Sequence, residues 1–143
     1  MTSIERSVTV DRPLASVFAY LSDFTTTNEW DPGTVRTTRV SGDGSVGTEY
    51  HNVSKFAGRR TELTYVVERL EENRLLSLRG ENRSVVAHDT MRFRATDSGT
   101  AVTYRAEFEF KGLVRYAAPL LAPAFKKLGD DAEKGLRRAL EQL

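Results

Sequence analysis

Residues 102–140 read VTYRAEFEFKGLVRYAAPLLAPAFKKLGDDAEKGLRRAL, and within this stretch the hydrophobic period changes once. Up to Lys111 the period is two: Val102, Tyr104, Ala106, Phe108 and Phe110 alternate with Thr103, Arg105, Glu107, Glu109 and Lys111. That alternation marks a strand with one dry face and one wet face. Beyond Gly112, Leu113, Ala117, Leu121, Ala124, Leu128, Ala132, Leu136 and Leu140 recur at spacings of three and four, one face of an amphipathic helix. Lys126 with Asp130, Lys127 with Asp131 and Glu133 with Arg137 stand one turn apart as expected ion pairs on its wet side. Pro119 and Pro123 each remove a helical hydrogen bond, so the first part of this helix is expected to be kinked or broken.

The rest of the chain supplies what that helix must cover. From Thr34 to Lys111 the sequence reads as successive strands, punctuated at Ser41-Gly42-Asp43-Gly44, Ala57-Gly58, Glu72-Asn73, Glu81-Asn82 and Asp97-Ser98-Gly99. Connections this short imply antiparallel neighbours. Upstream, Ile4, Val8 and Val10 alternate with Glu5, Ser7 and Thr9 as a further strand. Asp11 is read as the cap and Pro13 as the first turn of a helix carrying Val17, Phe18 and Leu21. A second short helical piece carries Phe24 and ends near Trp30-Asp31-Pro32-Gly33. A sheet with a single wet face buries the other against a partner, and the only large apolar partner is the last helix. The expected fold is α+β: residues 1–143 as one domain, a curved antiparallel sheet around a long C-terminal helix, enclosing an apolar pocket.

Lys plus Arg total 21 against 20 Asp plus Glu, a net charge of +1, and the basic residues read as scattered among acids on a solvated surface. This near-balance argues against nucleic acid as the main partner. The absence of cysteine excludes disulfides and thiolate chemistry, and two histidines are too few for a histidine-rich metal site. Neither a metal nor a cofactor is expected. The N-terminus lacks a signal-peptide apolar run, and no stretch approaches the ~20 apolar residues of a membrane span. The default location is the cytoplasm.

Arg12-Pro13 opening a helix with Val17-Phe18-Ala19-Tyr20-Leu21, Trp30 ahead of a Gly-rich hairpin, and Val46-Gly47-Thr48-Glu49-Tyr50 form a pattern with two later features. These are the Asp97-Ser98-Gly99-Thr100 turn and Gly112-Leu113-Val114 with its trailing helix. The pattern resembles the START-like (SRPBCC) superfamily, within it the polyketide cyclase/dehydrase and lipid-transport group. The resemblance implies a helix-grip fold with a cavity that binds lipids, polyketides, sterols, hormones or quinones, and in a minority of members cyclase or aromatase activity. It carries no catalytic signature, and fold alone does not give function.

Gly42-Asp43-Gly44-Ser45-Val46-Gly47 matches G-x-G-x-x-G in form, but a strand follows it rather than a helix, so it reads as a hairpin turn. In the strand from Thr48 to Phe56, Glu49, His51, Val53 and Lys55 form the outer face and Tyr50, Asn52 and Ser54 the inner one. Inward polar groups are costly in a dry core unless hydrogen-bonded, which favours a cavity beside them. Tyr65 and Tyr104 share inward faces with apolar neighbours, and Trp30 is placed at the pocket mouth or as a packing anchor. Asp89 shares strand parity with Met91 and Phe93; an inward carboxylate has a raised pKa and serves as acid or base. Asp89 and Tyr50 are the candidate catalytic residues, with Arg6 as a possible counter-ion, although the favoured reading has Asp89 and Arg6 at strand ends reaching solvent. His51 and His88 fall on outer faces.

The expected ligand is a hydrophobic small molecule (a lipid, polyketide-like aromatic or isoprenoid) in a cavity of ~300–1,000 Å³. Its lining is assigned to Trp30, Tyr50, Asn52, Tyr65, Met91, Phe93, Tyr104, Phe108, Leu121 and Phe125. One rival is a polyketide cyclase or dehydratase using the same pocket. The other is a protein-interaction module docking through residues 113–123, a segment apolar enough for transient protein or membrane contact. Leu113 to Ala124, with the Trp30 to Gly33 break, is the expected gate.

Overall fold

Period-two segments become strands, and each of the five breaker clusters becomes a turn between them. The computed structural model describes residues 2–143. In chain order these form β1 (Thr2–Val10), α1 (Leu14–Ser22), a 3-10 turn (Phe24–Thr26) and α2 (Thr27–Trp30). Next come β2 (Thr34–Ser41), β3 (Glu49–Phe56), β4 (Arg59–Glu71), β5 (Leu75–Glu81), β6 (Val85–Ala95) and β7 (Thr100–Phe110). Two 3-10 turns, Gly112–Tyr116 and Ala118–Leu121, lead into α3 (Ala122–Glu141).

The strands make one seven-stranded sheet in the order β1-β7-β6-β5-β4-β3-β2, every neighbouring pair antiparallel. A register shift between Val67 and Arg69 bends β4 where it pairs with β5. Ala57 (φ 52°) and Gly58 (φ 77°) supply the left-handed backbone that a two-residue hairpin needs. The Gly42–Gly47 loop likewise runs into a strand, as its reading as a turn requires.

α3 lies across the concave face, burying Phe125, Ala132, Leu136 and Leu140. Two glycines set how closely it sits. A Cβ at Gly135 would stand 1.7 Å from the Trp30 carbonyl oxygen, and one at Gly129 2.8 Å from the Arg6 guanidinium. The apolar period from Leu113 does not yield a continuous helix. Pro119 falls in a 3-10 turn, and Pro123 occupies the first turn of α3, where its missing N–H costs nothing.

Two local expectations are corrected. Asp11 is not the α1 cap: Pro13, already extended at φ −61° and ψ 143°, holds that position, and the helix starts beyond the reach of Asp11. Lys126–Asp130 and Lys127–Asp131 pair at 2.9 and 2.6 Å, but Glu133 leans toward Arg6 (3.9 Å) rather than Arg137. Arg137 instead donates to the Thr9 carbonyl.

Candidate functional site

Strand register arranges the concave face in rows. One runs Tyr50, Tyr65, Gly80, Ala87, Phe108; the next runs Leu78, Asp89, Ala106, Ile4; a third runs Leu76, Met91, Tyr104, Arg6. Gly80 is needed in the first row, because a Cβ there would lie 2.6 Å from the Tyr65 ring.

The second and third rows meet in a buried acid. Asp89 is only 5% exposed, which overturns the favoured reading of a strand-end residue reaching solvent. Its position in mid-strand, opposite Leu78 and Ala106, leaves no route to water. The Tyr104 hydroxyl donates to Asp89 Oδ2 at 2.9 Å, while buried Oδ1 has no hydrogen-bond partner among the described residues. Burial pushes the carboxyl up to about 7; the Tyr104 hydrogen bond opposes this and the charge of Asp31 adds to it. The group therefore titrates near neutral pH.

Arg6 is not its counter-ion. Its guanidinium crosses Gly129 and pairs with Asp130 at 3.0 Å, because Asp130 and Glu133 on α3 face the edge strand. Sequence reasoning does not single out Asp31. It caps its own turn, accepting from the Gly33 N–H (3.0 Å) and the Thr34 hydroxyl (2.8 Å), and burial raises its pKa.

The wall formed by β2 and β3 is polar but internally satisfied. Asn52 Nδ2 donates to Thr37 Oγ1 (2.8 Å), Ser54 donates to Asn52 Oδ1 (2.7 Å), and Thr27 donates to the Phe24 carbonyl (2.9 Å). Asn52 and Ser54 thus point inward as expected, without needing a cavity to satisfy them. Tyr50 is buried beside Phe24, ring centroids 5.6 Å apart, and Phe24 also meets Tyr65 at 4.9 Å.

Trp30 does not sit at a pocket mouth. It is 2% exposed and packs edge-on against Tyr104 at 5.7 Å, so it is a deep anchor that joins α2, β7 and α3. Met91 is buried in the same core, while Phe93 turns toward Phe18 of α1 (5.0 Å) and away from the Asp89 pair. Phe108, Leu121 and Phe125 gather at the other end of the grip. There the Phe125 ring meets Phe56 (4.7 Å), Phe108 (5.0 Å) and Phe110 (5.9 Å), and all but Phe125 are partly exposed. Sequence reasoning misses Phe56 and Phe110 as members of this group, although both carry the inward parity of their strands.

Two surface hollows of the described residues do not coincide with the expected cavity between sheet and α3. Those lie outside: about 480 Å³ along Glu133, Lys134, Arg137 and Arg138, and about 190 Å³ between Tyr20, Glu29 and Gln142. Trp30, Tyr104, Phe108 and Phe125 occupy the space between sheet and helix. His51 lies on the outer face, 3.3 Å from Glu62, and His88 lies between Arg79 and Glu107. Among the described residues no group of three or more His, Cys, Asp or Glu is placed to hold a metal ion, and no helix is long and apolar enough to cross a membrane.

Comparison with solved structures finds this architecture repeatedly. The Zhui aromatase/cyclase from a Streptomyces species superposes with a TM-score of 0.84 at 15% identity, over 99% of this chain and 94% of that one. A Thermus thermophilus protein follows at TM-score 0.79 and 17% identity, covering 99% and 95%. A START superfamily protein from Mycobacterium smegmatis gives 0.73 and 16%, covering 98% and 94%. Identities this low show a shared fold. No curated protein matches the chain. The model of one family, described as polyketide cyclase / dehydrase and lipid transport, matches residues 1–141, and the chain belongs to that family.

Proposed function

We propose that the protein binds a hydrophobic small molecule, such as a lipid, a polyketide-like aromatic or an isoprenoid, between the concave sheet and α3. The observation that carries this reading is the layout of the concave face. A cluster of phenylalanine rings at one end, partly exposed around the buried Phe125, leads to a buried polar pair, Asp89 and Tyr104, in the middle. Apolar walls with a few convergent polar groups are the usual make-up of a small-molecule site. Entry separates Phe108 from Phe125, and residues 113–121, held by short 3-10 turns, are the part of the chain that yields. These side chains close the grip, so binding exchanges ring–ring contacts for ring–ligand contacts. We place this activity in a single cytoplasmic domain.

A second reading is a cyclase or dehydratase in the same site. It rests on Asp89, a carboxyl titrating at about 7 and hydrogen-bonded to a tyrosine, which is suited to giving or taking a proton at neutral pH. The Zhui aromatase/cyclase shares the fold, which makes this reading an analogy.

Native mass spectrometry and solvent extraction of protein purified from its host test the proposal. A co-purified apolar molecule, bound at least tenfold more weakly after Phe108→Ala, is the expected result. Protein that carries nothing and takes up no lipid, aromatic or isoprenoid probe refutes the binding reading. Turnover of a poly-β-ketone probe that Asp89→Asn abolishes establishes the second.

A further inference from the structure

A net charge of +1 conceals a segregation that the fold creates. Between Glu109 and Asp130 the chain carries Lys111, Arg115, Lys126 and Lys127 and no acid. Phe56 against Phe125 brings the β3–β4 tip, with Lys55, Arg59 and Arg60, to the same end of the molecule. The Lys111 N–H donates to the Ser84 carbonyl at 2.8 Å, which adds Arg83 of the β5–β6 turn. Glu81 engages Lys111, and Asp130 and Asp131 hold Lys126 and Lys127. Lys55, Arg59, Arg60, Arg83 and Arg115 have no ion-pair partner among the described residues. The opposite end carries Asp11, Asp43, Glu72 and Asp97 in its turns, together with Arg12 and Arg74. Eight of the 21 basic residues, which read as scattered along the sequence, are therefore gathered at one end in space.

Beside these cations stand four exposed apolar side chains, two of them the most exposed large hydrophobics among the described residues. Leu113 is 84% exposed, Leu120 82%, Tyr116 67% and Val114 38%, all on the 3-10 turns between β7 and α3. Isolated exposed leucines need no explanation, but a cluster on one short segment marks a contact surface. Apolar side chains flanked by lysine and arginine are the make-up of a surface that enters the headgroup layer of an anionic bilayer.

We propose that this end of the molecule (the 112–121 segment, the β3–β4 tip and the β5–β6 turn) is a docking surface for an anionic lipid bilayer. Leu113, Val114, Tyr116 and Leu120 enter the boundary of the acyl chains, and the unpaired cations meet lipid phosphates. Charge selects this occupant over the others. A second copy of the chain would bring the same cations face to face across a two-fold axis. A nucleic acid would match the cations and leave the leucines in water. The docking stands independently of what the grip holds, although it sets the phenylalanine mouth against the membrane.

Co-sedimentation of the purified full-length chain with phosphatidylcholine vesicles, with and without about one third phosphatidylglycerol, tests this. Binding at least tenfold tighter to the anionic vesicles, weakening as salt rises, is expected, since basic residues are drawn to such a surface within a screening length. Leu113→Glu with Leu120→Glu abolishes it with an unchanged melting temperature, because both side chains are exposed. Arg59→Ser with Arg60→Ser, a variant that leaves the helical segment untouched, lowers it severalfold. Equal binding to neutral vesicles, no binding to either, or binding unaffected by the leucine pair overturns the proposal. So does a dimer that the leucine pair dissociates, or tighter binding to duplex DNA that is indifferent to the leucines.

Discussion

Replacing Asp89 by asparagine keeps an oxygen to accept the Tyr104 hydroxyl and removes the ability to ionise. In the folded chain the carboxyl titrates at about 7, against an ordinary 3.8. Between those values an unfolded chain has lost the proton and the folded one retains it, so the native state binds more protons and stability falls as pH rises. The separation corresponds to about 4 kcal/mol, present in full below about pH 4 and lost once pH passes about 7. The Asp89→Asn side chain is neutral throughout and carries no such slope. Urea melts of both proteins across the range from acid to mildly alkaline pH read the difference directly. Near pH 4 the two should agree within about 1 kcal/mol, since a protonated carboxyl and an amide differ little in burial cost. On the alkaline side the variant should be more stable by several kcal/mol. A difference that stays constant with pH, or a variant that is weaker above pH 7, would mean that folded Asp89 is ionised and paired.

Gly135→Ala separates packing from helix propensity: an open site gains about 1 kcal/mol from alanine, whereas a Cβ 1.7 Å from the Trp30 carbonyl forces α3 away. A loss of about 1–3 kcal/mol in urea melts is expected, and a gain would show that the helix is not in close contact there. Hydrogen exchange should be faster at Leu113–Leu121, where short 3-10 turns leave amides exposed, than at Leu128–Leu140; equal protection would remove the gate.

Which parts of the molecule are legible in the sequence follows from what each pattern encodes. Parity tells which residues of β3, β4, β6 and β7 face inward, because side chains alternate strictly wherever no bulge intervenes. It places Tyr50, Asn52, Tyr65, Met91, Tyr104 and Phe108 on the concave face. Parity does not tell how far along the sheet a residue lies from solvent, and so Asp89 reads wrongly as a strand-end residue. The partner of Arg6 is not legible either, since Asp130 lies across the fold on α3. The glycines of α3 carry a signal that the apolar period alone passes over. Gly129 and Gly135 interrupt a helix otherwise made of good formers, and a helical glycine that costs about 1 kcal/mol marks a close approach. The closed grip has no signature in the sequence, because whether Trp30 and Phe125 fill a space or border one depends on rotamers.

The pairing of β1 with β7 has a consequence for how the chain assembles. Thr2–Val10 aligns residue for residue with Thr100–Phe108, so all of β2–β6 separates the partners along the chain. The meander grows from local hairpins, each available as soon as its second strand is made. β1 is made before its only sheet partner, so Ile4, Val8 and Val10 have no strand to pair with until β7 emerges. Contacts so distant along the chain slow folding and leave apolar strands open to aggregation in the meantime. α3 packs against β1 through Arg6 and Gly129, so the docking of β1 on β7 also completes the surface that α3 covers.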